Sequence, residues 1–116
     1  MDFTIELIDE AVALDKVKEI TNRGFGNMVK GVVDVEKEVM AVGADLHVDE
    51  EQFLLEQGSK QQDLWGINLY PDKGYPDFIE FDSMVNIRPG QGNRSRGVES
   101  IEVRDKIAAV VKKLII

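Results

Sequence analysis

Leu64-Trp65-Gly66-Ile67-Asn68-Leu69-Tyr70, then Pro71-Asp72-Lys73-Gly74-Tyr75-Pro76, then Phe78 through Ile87 are the consecutive stretches whose reading decides the fold. In the first, Trp65, Ile67 and Leu69 alternate with Gly66, Asn68 and Tyr70, the period of a strand with one core face and one wetter face. The second combines two prolines and a glycine, the strongest local turn formers. The third places Ile79, Phe81, Val85 and Ile87 on one face if no bulge intervenes. Two strands joined by such a turn are expected to pair antiparallel.

The same reading extends upstream. Met28 to Val35 and Glu38 to His47 are valine-rich runs around Glu36-Lys37, a hairpin pattern without the Asn-Gly or Asp-Gly turn that marks the tightest hairpins. Gly31 and Gly43 inside these runs signal a bulge or a close backbone approach. Phe3, Ile5 and Leu7 alternate with Thr4 and Glu6 as a further strand. Three helices are expected. One is capped by Asp9 or Asp15, carries Leu14, Val17 and Ile20 on its stripe and stops at Arg23-Gly24. A short one opens at Asp49-Glu50-Glu51, with Asp49 as cap, and runs to Gln57. The last starts near Ser100 and aligns Ile107, Ala108, Val111, Leu114 and Ile115. The prediction is one α+β domain over residues 1–116: a mostly antiparallel sheet of four to five strands, with two main helices and one short helix packed on one face.

Composition removes several chemistries. With no cysteine and a single histidine, His47, the chain has no disulfide framework, thiolate site, cysteine nucleophile or multi-histidine zinc site of its own. The net charge of −8 disfavours nucleic acid, which is held by clustered lysine and arginine. Trp65, Phe78 and Phe81 read as core rather than as a stacking platform. No apolar run is long enough to span a membrane, and Met1 to Glu10 carries four acids in place of a basic leader, so a cytoplasmic location is expected. Charge is distributed unevenly: residues 83–116 hold 7 basic and 3 acidic side chains, net +4, against −12 for residues 1–82.

That asymmetry directs attention to Arg88 through Gly97, whose only apolar side chain is proline. Gly90, Gly92 and Gly97 permit backbone N–H groups to converge as an anion nest, and Arg88, Arg94 and Arg96 supply guanidinium forks that match carboxylate or phosphate. Gln91, Asn93 and Ser95 add neutral donors, and Asp82 and Ser83 stand at the base of the loop. It lacks the Gly-Lys-Ser/Thr ending of a Walker loop and the surroundings of a dinucleotide fingerprint. The bland alternative is an ordered connection whose arginines pair with Glu80, Asp82 or Glu99. Glu80 and Asp82 share a strand face, suiting either a divalent cation or arginine partners. His47 stands two residues after Asp45, an arrangement that can charge an imidazole, although a lone histidine at a strand end is more often a surface residue.

Three stretches, Met28-Val-Lys-Gly-Val-Val-Asp-Val-Glu-Lys37, Leu64-Trp-Gly-Ile-Asn-Leu-Tyr-Pro71 and Glu80-Phe-Asp-Ser-Met-Val-Asn-Ile-Arg-Pro-Gly-Gln-Gly-Asn-Arg-Ser-Arg96, resemble an uncharacterised family of small bacterial and archaeal proteins known only as a domain of unknown function. The resemblance covers roughly Phe25 to the end. It implies a prokaryotic cytosolic protein and carries over no activity, cofactor or catalytic residue.

The residues themselves lead to a non-catalytic binding domain that recognises a small anionic ligand or an acidic partner segment through Arg88, Gln91, Asn93, Arg94, Ser95 and Arg96, with Asp82 and Ser83. Two other readings stand beside it. One is a small enzyme acting on a phosphorylated or carboxylated metabolite, with the arginines clamping the anion and Asp82, Glu80 or His47 transferring a proton. The other is a homo-oligomerisation or protein-interaction module using an exposed strand edge and the C-terminal apolar stripe. No cofactor, metal, nucleic acid or membrane partner is assigned.

Overall fold

The Met28–His47 runs fold as the expected hairpin, and the turn is made by an aspartate rather than by a glycine. In a computed structural model describing residues 1–116, β2 (Val29–Asp34) and β3 (Val39–Val42) pair antiparallel. The buried Asp34 carboxylate accepts the N–H groups of Glu36 and Lys37 at 2.9 and 2.8 Å, and its other oxygen accepts the Ser59 hydroxyl at 2.6 Å. An Asx-type turn of this kind supplies the geometry that Asn-Gly would otherwise provide. Glu38 completes it with φ of 57°.

Around this hairpin, β1 (Glu6–Ile8) pairs with β3 and β4 (Leu64–Leu69) pairs with β2. β5 (Ile79–Glu80) joins β4 across the proline turn, giving the order β1-β3-β2-β4-β5 with every pairing antiparallel. The chain is thus an α+β domain with a five-stranded antiparallel sheet and three helices, α1 (Leu14–Arg23), α2 (His47–Glu56) and α3 (Ile101–Leu114).

Strand alternation sorts the side chains into two layers. Val29 and Val33 of β2 and Leu69, Ile67 and Trp65 of β4 pack with Val17 and Ile20 of α1 and Ile107, Val110, Val111 and Leu114 of α3. The stripe on α3 is therefore covered by the chain's own core. On the opposite face, Val32, Ala41 and Leu64 enclose Leu54 of α2. The two main helices share a face as expected, whereas the short helix crosses to the other side. Helix α2 and the 82–85 segment bury β4 on this face as well, so Gly66 and Asn68, expected on a wetter face, are buried too.

Three local differences have identifiable causes. α2 starts at His47 with Leu46 at its N-cap; Asp49 lies inside the first turn, and Glu50 reaches back to accept the Ala44 N–H at 2.9 Å. α1 starts after Ala13 without a side-chain cap, with Asp15 in its first turn, and ends at Gly24. The last strand stops at Glu80 instead of reaching Ile87, because the chain folds over Gly66 there. A Cβ at Gly66 would lie 2.5 Å from the Ser83 Cβ and 2.9 Å from Val85. Gly43 shows the close approach expected of it: φ is 101°, and a Cβ would lie 2.7 Å from the Thr4 carbonyl oxygen. No helix is long and apolar enough to cross a membrane.

Candidate functional site

Sheet register places three polar residues in one cross-strand row on the α2 face. Lys30 of β2 faces Asn68 of β4, and Asn68 faces Glu80 of β5. The Asn68 amide nitrogen donates to Glu80 Oε1 at 2.8 Å and to the Asp82 carbonyl at 3.3 Å. Asn68 is only 6% exposed, and its buried Oδ1 makes no hydrogen bond of good geometry, with the His47 ring within its reach. Buried side-chain acceptors are nearly always satisfied, so this one calls for a donor, an N–H or O–H, of which the His47 ring is one. The Lys30 ammonium makes no ion pair; it sits 5.3 Å from the centre of the Phe25 ring.

Helix α2 brings His47 over this row. His47 Nε2 donates to the Ile67 carbonyl at 2.8 Å. A carbonyl only accepts, so Nε2 carries the proton and Nδ1 is the basic nitrogen of the neutral ring. Burial pushes the imidazole below its usual value, opposed by the Ile67 hydrogen bond and reinforced by the Lys30 charge; a side-chain hydrogen bond with Asn68 and the Asp82 charge act upward.

The chain after β5 closes the site. Ser83 N donates to the Arg96 carbonyl at 2.9 Å, and its Oγ accepts the Val85 N–H at 3.3 Å. Arg96 Nε donates to Asp82 Oδ1 at 2.7 Å in an exposed ion pair. Lys30, His47, Asn68, Asp82, Ser83 and Arg96 form the polar wall of a cavity of about 250 Å³. Its other wall is apolar: Met28, Leu46, Val48, Met84 and Val85.

The Arg88–Gly97 loop uses most of its polar groups on itself and on its neighbours. Arg88 donates to the carbonyls of Gln61 and Leu64, the latter at 2.6 Å, and stacks 4.3 Å from the Trp65 ring centre. Burial lowers its pKa, opposed by the nearby Glu51 charge. Gln91 donates to the Gln62 carbonyl at 2.7 Å. The buried Asn93 donates to the carbonyls of Asn86, Ser95 and Gly97 and accepts from Glu99 N, acting as an internal strut.

Two N–H groups of the loop do converge, those of Arg94 and Ser95 rather than of the glycines, and the chain's own carboxylate takes both. Arg94 N and Ser95 N donate to Glu99 Oε2 at 2.7 and 2.9 Å, which holds Glu99 below the usual carboxylate range. The guanidiniums have separate surroundings: Arg88 on Trp65, Arg96 on Asp82, and Arg94 without an ion pair. Of the eight residues singled out from the sequence, Asp82, Ser83 and Arg96 line the cavity. Glu80 stands behind it, accepting from Asn68 and from the Tyr70 hydroxyl at 3.2 Å.

Sequence reasoning left out Lys30 and Asn68 and read His47 mainly as a surface residue. A polar residue inside an otherwise apolar run was the available signal for the first two.

Chemically, the cavity offers one ammonium without an ion pair, one guanidinium shared with a carboxylate, a neutral imidazole and an unsatisfied amide oxygen beside an apolar wall. No curated protein and no solved structure matches the chain. A family model described as "Protein of unknown function (DUF5674)" matches residues 6–114, taking in the N-terminal strand and helix as well as the three stretches whose resemblance is noted above, and the chain belongs to that family.

Proposed function

We propose that this chain is a non-catalytic binding domain for a small anionic ligand, seated in the cavity between α2, the Lys30–Asn68–Glu80 row and the 82–85 segment rather than along the whole Arg88–Gly97 loop. The carrying observation is an ammonium free of ion pairs, Lys30, in the polar wall of that cavity. Cationic side chains converging on a concave site fix the position of an anion by charge. Arg96 adds a second positive group, moderated by Asp82. The resemblance carried by the three stretches quoted above supports a cytosolic setting in a prokaryotic cell.

The test is a titration of the labelled protein with acetate and with inorganic phosphate, followed by NMR at the Asn68 side-chain amide and the His47 ring. Saturable shifts at both, weakened in Lys30→Gln and Arg96→Gln, are expected. Silence of both groups toward every anion sinks the reading.

One observation favours a second reading, a small enzyme. His47 is held as the Nε2–H tautomer in the cavity wall, leaving Nδ1 as a base. Turnover of a carboxylate or phosphate compound that is abolished in His47→Gln while binding persists would decide for it.

A further inference from the structure

On the sheet face opposite to the anion cavity, and independently of that reading, we propose that the groove between α3 and the end of β5 docks an extended acidic segment of another protein, with an apolar side chain anchored between two carboxylates.

The helix repeat builds the groove. Arg104, Ala108 and Lys112 recur every four residues of α3 and so form one stripe on its surface, about 12 Å from first to last. The small Ala108 between two long cations leaves a hollow of about 270 Å³, whose other walls include Ile79, Phe81, Tyr75 and Pro76. Ile79 packs in the layer of α1 and α3, which places the groove away from the Lys30–Asn68–Glu80 row. A second hollow of about 240 Å³ shares Tyr75 and adds Lys73, Phe78 and Ile115. Tyr75 is 48% exposed between them.

Charge sets what the groove takes. Lys73, Arg104 and Lys112 are held over the rings of Tyr70, Phe81 and Tyr75, at 4.7, 5.1 and 4.8 Å from the ring centres. Arg104 is further fixed by the hydrogen bond from its Nε to the Val98 carbonyl. An aromatic ring positions a cation without neutralising it, and none of the three makes an ion pair. Asp105 is the one acid that lines either hollow. The patch therefore presents an excess of positive charge, fixed in place beside apolar hollows, and its complement is a segment that carries carboxylates around an apolar side chain.

Geometry selects the form of that segment. β5 is the outermost strand, so no further strand of the chain covers this side of the sheet. An extended chain advances about 13 Å in four residues and turns alternate side chains to one side. Acids four residues apart thus reach Arg104 and Lys112, and the side chain midway between them meets the hollow over Ala108. A second copy of this chain, related by a two-fold axis through the patch, would set the same cations against one another. An anionic bilayer would face the acids of a chain of net charge −8 as well as these cations, whereas a bound segment lies within the Debye length of about 8 Å from them. A hollow also receives a side chain and inserts none into lipid.

The test titrates the full chain with the peptide acetyl-Ser-Glu-Thr-Phe-Thr-Glu-Ser-amide and follows the Tyr75 ring by NMR. Two control peptides replace both glutamates by lysine, or the phenylalanine by serine. Saturable shifts are expected, with the acidic peptide bound about tenfold or more tighter than either control and weakened severalfold by added sodium chloride. Lys112→Glu, at an exposed helix position, should weaken it by about fivefold or more while leaving the melting temperature within a few degrees of wild type. A lysine peptide as tight as the acidic one overturns the role of charge, and a serine peptide as tight overturns the anchor. A Tyr75 ring that responds to no peptide overturns the docking site. A concentration-dependent dimer that shifts the Tyr75 ring, or binding to phosphatidylserine vesicles without a peptide response, gives the patch a different occupant and overturns the proposal likewise.

Discussion

Asn86 and Gly66 exchange two hydrogen bonds across twenty residues: the Asn86 Oδ1 accepts the Gly66 N–H at 2.8 Å, and its Nδ2 donates to the Gly66 carbonyl at 2.9 Å. A side-chain amide thereby satisfies the edge of β4 at the point where β5 has already ended. The same Nδ2 donates to the Arg96 carbonyl at 3.0 Å, which connects the sheet edge to the start of the cavity wall. Glycine at position 66 is what lets Ser83 lie flat against the strand.

Replacing Asn86 with Ala leaves the buried Gly66 N–H and carbonyl without partners and takes one of two donors from the Arg96 carbonyl, which keeps the Ser83 N–H, and should destabilise the fold by about 2–4 kcal/mol in urea denaturation. Asn86→Asp keeps the acceptor for Gly66 N–H but loses both donated bonds, so an intermediate cost is expected. Gly66→Ala should cost about 2 kcal/mol or more, because the added methyl displaces Ser83 and Val85. Wild-type stability in Asn86→Ala would show that the reciprocal pair does not hold the edge.

The arginines of the glycine loop should separate by stability. Arg88→Ala removes two hydrogen bonds to carbonyls and the stack on Trp65, with a cost of about 2 kcal/mol and a changed fluorescence of Trp65, the only tryptophan. Arg94→Ala removes a guanidinium that makes no ion pair and should stay within about 0.5 kcal/mol of wild type. Equal costs for the two would contradict their different surroundings.

This contrast also shows what the sequence made legible. The Met28–His47 hairpin, the pairing of Leu64–Tyr70 with the chain after Pro76, and the α3 stripe all follow from local periodicity, and each forms. The early end of β5 does not follow from periodicity, because it depends on Gly66 meeting Ser83 and Asn86 some twenty residues away in sequence. The side of the sheet that α2 covers likewise did not follow: the short helix was expected on the face of the other two, and Phe53 and Leu54 fit the opposite face as well. At the site, Asp82, Ser83 and Arg96 were visible as charged or polar groups at a loop base. Arg88 read as part of the same cluster because guanidinium partners that are backbone carbonyls, as at Gln61 and Leu64, leave no trace in residue type. Lys30 and Asn68 were hidden for a different reason: alternation treats every polar strand residue as solvent-facing, and here α2 and the 82–85 segment cover that face.

Glu50 should make the protein less stable as pH rises. It is fully buried, with Oε2 accepting the Ala44 N–H and Oε1 unpartnered. Burial drives its pKa well above the ordinary 4.5, against the Ala44 hydrogen bond and the Lys30 charge, with Asp49 adding to the rise. The folded state therefore keeps a proton that the unfolded chain releases above about pH 4.5, so this group's contribution to stability falls from there up through its folded value. Glu50→Gln keeps an acceptor for Ala44 and removes the titration. Its melting temperature should exceed that of wild type at pH 7–8, with the gap closing toward pH 4.5. A gap that does not vary with pH would mean that Glu50 folds as a carboxylate.

His47 should act in the opposite direction. Its pKa is depressed from 6.5, chiefly by burial, so below that pH the unfolded chain takes up a proton that the folded state refuses. The unfolded state then binds more protons, and stability is lost as pH falls below about 6.5. His47→Gln can retain a donor toward the Ile67 carbonyl and has no proton to take, so its melting temperature should decline less than that of wild type between pH 6.5 and 5. The same ring offers a direct check, since its proton shifts titrate as a single imidazole: a midpoint below 6.5 is expected in the free protein. An anion placed in the cavity beside His47 supplies a negative neighbour that favours the charged ring, so a bound carboxylate should move that midpoint upward and make binding tighter at lower pH. A midpoint at or above 6.5 without ligand would show that solvent reaches the ring and that burial does not govern it.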